Sequence, residues 1–152
     1  MEKSRAEFKA LREMAGITQR DLADMLGVKE RSVQRWEADT PTTHNFPPDA
    51  AWDILIEALE GQSEMVDYAI AQAEAIEGSI GKKPEAVEIR YWLTEAAYIG
   101  YSTDTELSTS GSWRMANANA RAAAAALTAL GYTVRFVSGS DKTLVPMHSD
   151  ID

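Results

Sequence analysis

Over the first forty positions, apolar residues recur every three or four residues, the period of a helix with one buried face. Phe8, Leu11 and Ala15 share such a face in a segment from Arg5 to Met14. Ser4 is placed to cap it with Glu7 three residues on, and Gly16 to stop it. A second helix is expected from Gln19 to Leu26, opened by Thr18, striped by Leu22, Ala23 and Leu26, and ended by Gly27. A third is expected from about Lys29 to Ala38, with Val33 and Trp36 pointing inward. Further on, Pro47 and Pro48 stand where a helix start tolerates a missing N–H. Trp52, Leu55, Ile56 and Leu59 then stripe a helix over 49–60. Gly61 reads as a break, and Ser63 as the cap of another helix over 63–77 carrying Val66, Ala69, Ile70, Ala73 and Ile76.

Beyond a Gly/Lys/Ser/Pro linker at 78–84 the period changes. Val87, Ile89, Tyr91 and Leu93 alternate with Glu88, Arg90, Trp92 and Thr94, which predicts a strand with one buried face. Residues 95–111 are polar and without a clear period; they read as an exposed connection, or else as a loop that binds a small effector. Ser112 caps a helix from Trp113 to Leu130, with Leu127 and Leu130 as its surest core positions. Its run Ala122 to Ala126 reflects high helix propensity on a small-residue face. Gly131 ends it, Tyr132 to Val137 reads as a second strand, and the residues from Ser140 read as a weakly attached tail. The expected organisation is a helical domain over 1–77, the linker, a small strand–helix–strand unit over 85–139, and a tail over 140–152.

The formal charge is −9, which by itself argues against a nucleic-acid partner. Its distribution changes that picture. Residues 1–45 hold eight Lys/Arg and eight Asp/Glu, whereas residues 46–81 hold eight Asp/Glu and no Lys or Arg. Only the N-terminal third can approach a phosphate backbone without strong repulsion. There is no cysteine, and His44 and His148 stand far apart, so neither a disulfide framework nor a metal centre is expected. No apolar run approaches the roughly 18 residues that span a bilayer. Nor does the start of the chain have a signal-peptide core, so a cytoplasmic location away from membranes is expected. There is no glycine-rich phosphate loop and no placeable Ser/His/Asp set, so an enzyme is not expected, and no cofactor.

The stretch from Gly16 to Glu37, GITQRDLADMLGVKERSVQRWE, resembles the Cro/repressor-type helix-turn-helix family, also called the XRE family. The resemblance covers roughly residues 4–40. Ala23 is small where two helices cross closely, and Gly27 suits a left-handed turn between them. Leu22, Leu26, Val28, Val33 and Trp36 are spaced to fill one small core. The fold class is then mainly α: a helix-turn-helix bundle followed by a small α+β unit.

The resemblance implies that the third helix enters the major groove of double-stranded DNA. By position, Glu30, Arg31 and Arg35 become base readers with Gln34 beside them, a set that favours G·C contacts. Gln19 takes a phosphate at the start of the second helix, with Arg20 and Lys29 adding phosphate contacts. Arg12 and Glu37 fall where related modules hold an internal ion pair. The chain departs from the family after the third helix, where a glycine and basic residues are usual. Here it reads Asp39-Thr40-Pro41-Thr42-Thr43-His44-Asn45, whose hydroxyls, His44 and Asn45 can still bond phosphate oxygens.

One such module reads few base pairs, so a homodimer is expected, held together by the C-terminal unit. Tyr91, Trp92, Trp113 and Phe136 belong either to that interface or to the monomer core. The expected function is a dimeric repressor. The other reading is an antitoxin-type DNA-binding protein whose C-terminal part binds a partner protein.

Overall fold

The chain enters its first helix at Ser4, whose hydroxyl accepts the amide of Glu7 at 3.0 Å and opens α1 (Arg5–Ala15). The computed structural model describes residues 3–39, 45–102 and 112–141. Thr18 opens α2 (Gln19–Leu26) in the same way, accepting from Asp21 at 3.0 Å. Both helices end on glycines in the left-handed region, Gly16 at φ 74° and Gly27 at φ 67°. In each case the following amide reaches back to a last-turn carbonyl, Ile17 to Arg12 at 3.2 Å and Val28 to Ala23 at 3.0 Å. These are Schellman closures, and a residue with a Cβ would be strained at either glycine. Then comes α3 (Glu30–Trp36), shorter at both ends than the 29–38 expected, and begun at Lys29 without a side-chain cap.

Two compact units emerge, Met1–Gly61 and Gln62–Asp152. The first is built on Phe8, Ala15, Ile17, Leu22, Ala23, Val33 and Trp36, closed by Ala51, Trp52 and Leu55 from α4 (Asp49–Ile80). Val28 departs from its expected core role and is partly exposed. Its amide, not its side chain, makes the closure of the Schellman turn.

The two helices expected over 49–60 and 63–77 are one, α4, running unbroken through Gly61 and Ser63 and into the expected linker, to Ile80. A helical glycine costs only about 1 kcal/mol relative to alanine. Burial on either side of it, at Leu55 and at Ala69, outweighs that. The division between units therefore falls within α4, at Gly61, and not at residues 78–84.

The second unit takes α4 from Gln62 onward and adds β1 (Val87–Tyr91), α5 (Glu95–Ser102), α6 (Trp113–Ala129) and β2 (Val134–Ser138). The strands pair in parallel, from Val87 opposite Val134 to Tyr91 opposite Ser138. Their core joins Ala69 and Ala73 of α4, Ile89 of β1, Ala120, Ala123, Ala124 and Leu127 of α6, and Tyr132. The alanine run thus does more than favour a helix: two of its members, Ala123 and Ala124, are core, in one cluster with Ala69 and Ala73 of α4. Leu130 is half exposed instead of core: α6 ends at Ala129, and it is Tyr132 that joins Leu127 in the core cluster.

The alternating pattern ran to Thr94, yet β1 stops at Tyr91. Just past it, Asn117, buried on α6, donates its side-chain amide to the Trp92 carbonyl at 2.9 Å and accepts the Trp92 amide at 2.7 Å, satisfying both backbone groups on the side that faces away from β2. Trp92 then turns inward against Tyr98 and Tyr101, with ring centroids 5.4 and 5.1 Å away, and Leu93 is left 73% exposed. Those tyrosines belong to α5, a helix where a polar connection was expected; Thr94 caps it, accepting from Ala97 at 3.1 Å. The rest of that stretch, 103–111, and the tail from 142 lie outside the described residues. Among the described residues no helix is long and apolar enough to cross a membrane.

Glu77 near the end of α4 accepts a 2.5 Å hydrogen bond from the Tyr132 hydroxyl, with Lys83 3.4 Å from the same carboxylate. The bond from Tyr132 holds Glu77 below the usual carboxylate range, helped by Lys83 and opposed by burial. The same bond, with burial, pushes Tyr132 up to about 12.

Nothing lies within 4 Å of where a Cβ would stand at Gly61. Gly61→Ala should therefore stabilise the protein by about 1 kcal/mol and raise the calorimetric melting temperature by roughly 2–4 °C. Folded Tyr132 holds its proton more tightly than an unfolded tyrosine of pKa near 10. Its contribution is complete below pH 10 and disappears as pH rises toward 12. The stability difference between wild type and Tyr132→Phe, measured by urea unfolding, should narrow across that interval.

Candidate nucleic-acid interface

Seven residues of α3 are too few to hold a helix by themselves. Its inner face is Val33, fully buried, and Trp36. Phe8 of α1 stands edge-on to Trp36 at 6.1 Å and to Trp52 of α4 at 5.1 Å, so three aromatic rings brace α3 from behind.

At the end of α3 the chain is fixed by charge. Arg12 donates to both oxygens of Glu37, at 2.6 and 2.8 Å, and to the Ile17 carbonyl at 2.9 Å. The side chains of Arg12 and Glu37 are only 9% and 3% exposed, so this bidentate pair is shielded from solvent. It is the ion pair the resemblance implied. Gln19, at the start of α2, also donates to Glu37, at 3.1 Å. One carboxylate thereby ties together α1, the start of α2 and the end of α3.

The outer face of α3 presents Glu30, Arg31, Gln34 and Arg35, all exposed. Lys29 just before it and Arg20 on α2 are exposed as well. Four cations, Arg20, Lys29, Arg31 and Arg35, thus stand on the exposed surface of α2 and α3 with the acids Asp24 and Glu30. Gln19 is half buried, with one amide hydrogen engaged by Glu37, so a phosphate would meet its second amide hydrogen or the backbone N–H groups of the first turn. Asn45 is half buried, and residues 40–44, including His44, lie outside the described residues. Of the residues expected to support the motif, Ala23, Val33 and Trp36 are buried and Gly27 has a left-handed backbone.

Sequence reasoning missed Arg5. Its guanidinium donates to the carbonyls of Arg35 at 2.7 Å and Trp36 at 3.1 Å, and lies 5.0 Å from the centre of the Phe46 ring. Its partners are thirty and more residues away, and nothing in the local pattern points to them. The periodicity of α1 marks it only as a polar position.

Residues 8–46, about a quarter of the chain, match the family model described as helix-turn-helix. No curated protein and no solved structure matches the chain.

Removing one member of a buried ion pair leaves the other charge unpaired. Arg12→Ala should destabilise the first unit by about 3–5 kcal/mol in urea unfolding. A loss under 1 kcal/mol would mean that solvent reaches Glu37 and carries most of its charge.

Proposed function

We propose that the protein is a DNA-binding transcriptional regulator, a dimeric repressor reading a palindromic operator through α3; the helix-turn-helix match over residues 8–46 supports the DNA-binding part of this reading. The observation that carries the reading is the division of α3 between two environments. Val33 and Trp36 are sealed in the core, while Glu30, Arg31, Gln34 and Arg35 are all open to solvent. A helix held rigidly from behind, with long hydrogen-bonding side chains in front, suits the floor of the major groove. Arginine pairs with guanine through two bonds, and Glu30 can accept from cytosine N4. Arg20, Lys29, Gln19 and Asn45 meet phosphates and set the register without reading sequence.

The second unit is proposed to supply self-association. Among the described residues its sheet has two strands, where roughly three or more are wanted for independent stability, and Phe136 on β2 is half exposed. Two copies place two α3 helices on half-sites one helical turn apart, about 34 Å. A second reading, an antitoxin-type protein, draws on the exposed acids of α4: Asp53, Glu57, Glu60, Glu64, Asp67 and Glu74. These suit a basic partner protein, and co-expression with the neighbouring gene product followed by pull-down separates the two readings.

Selection of bound duplexes from a random pool tests the proposal directly. The expected product is an inverted repeat with half-site centres one turn apart. Arg31→Ala should then relax preference at a single base pair in each half-site, losing about 1–3 kcal/mol of discrimination there. An equal loss on every sequence would make Arg31 a phosphate contact and remove it from the reading set.

A further inference from the structure

We propose that Arg5 is a positioning residue for DNA reading, one that fixes the C-terminal end of α3 and with it the presentation of Arg35. The inference rests on the DNA-reading function proposed above. The last carbonyls of any helix lack partners within it. Helices α1 and α2 solve this with left-handed glycines, but α3 ends on Glu37 at φ −104°, with no such residue to close it. Arg5 closes it from outside, giving one guanidinium nitrogen to both the Arg35 and the Trp36 carbonyl. Its charge also sits at the negative end of the α3 dipole.

Both sides of that contact are fixed. Arg5 is the first residue of a helix capped by Ser4 and anchored one turn later by Phe8 between two tryptophans. The guanidinium plane is further held against Phe46. The residue whose carbonyl it grips most closely, Arg35, is itself a proposed base reader. A shift of that backbone moves the Arg35 side chain directly, whereas the phosphate contacts proposed for Arg20 and Lys29 are made from α2 and from the opposite end of α3. Arg5 therefore acts on discrimination between sequences more than on attraction to DNA. Lysine is not an equivalent replacement, since its compact ammonium is more strongly hydrated and a weaker partner for the Phe46 ring than the delocalised guanidinium.

The test uses the full-length protein, the duplex selected by the native chain, and a scrambled duplex of equal length. Dissociation constants for Arg5→Lys and Arg5→Ala are measured over a series of salt concentrations, at a temperature where circular dichroism shows native helix content. The expected result for both variants is about a tenfold fall in the ratio of selected to scrambled affinity, the size of one lost base contact, with an unchanged salt slope. If the alanine variant does not fold, the lysine variant carries the test. A ratio kept within twofold in the folded variants would overturn the proposal, leaving Arg5 only a stabilising role. A uniform loss on both duplexes, with the salt slope reduced by about one unit, would overturn it too, by making Arg5 a phosphate contact. Should the native chain select no sequence at all, it is the DNA-reading function that fails, and the two failures are distinguishable.

Discussion

A single carboxylate, that of Glu37, decides whether the three N-terminal helices form one object or three. It lies just past the end of α3, in a space that water hardly reaches, and receives hydrogen bonds from Arg12 on α1 and Gln19 on α2. A buried carboxylate is tolerable only when its lone pairs are satisfied and its charge opposed. Both conditions are met only if α1, α2 and α3 are arranged as they are, so the pair acts less as a source of stability than as a constraint on geometry. The aromatic stack of Trp36, Phe8 and Trp52 supplies the apolar burial, but rings slide over one another more readily than a two-pronged ion pair can.

What the chain declares in its local pattern, the structure reproduces. Ser4 with Glu7, Thr18 with Asp21 and Ser112 with Met115 are caps within one turn of sequence, and each is made as the pattern suggests. Gly16 and Gly27 end their helices for the same local reason. The outward face of α3 was equally legible, because buried Val33 and Trp36 leave Glu30, Arg31, Gln34 and Arg35 on the other side.

What stayed hidden depends on partners distant in sequence. Asn117 takes the place of a neighbouring strand for the Trp92 backbone from twenty-five residues away, and no alternation of side chains foretells that. The eight residues of α5 were hidden because Tyr98 and Tyr101, three apart on the face against Trp92, are too few to show a period in so short a helix. Gly61 misled in the opposite sense. A local rule applied there, but its small cost was exceeded by burial of Leu55 and Ala69 on either side. Arg5 belongs with Asn117: a polar side chain whose task is to complete someone else's backbone.

Two parallel strands standing alone have little to prevent one from sliding along the other. Here the indole of Trp92 acts as a gauge. It presses on Gly139 so closely that a methyl group there would lie 2.5 Å from the ring, while the Gly139 amide bonds to the Tyr91 carbonyl at 2.9 Å. The residues on either side are Ser138 and Ser140, both too large for that gap. A slip by one position in either direction would push a hydroxymethyl group into the indole. The alignment of Val87 with Val134 and of Ile89 with Phe136 is therefore keyed from the far end of the sheet, by a residue just past β2 that has no side chain to offer.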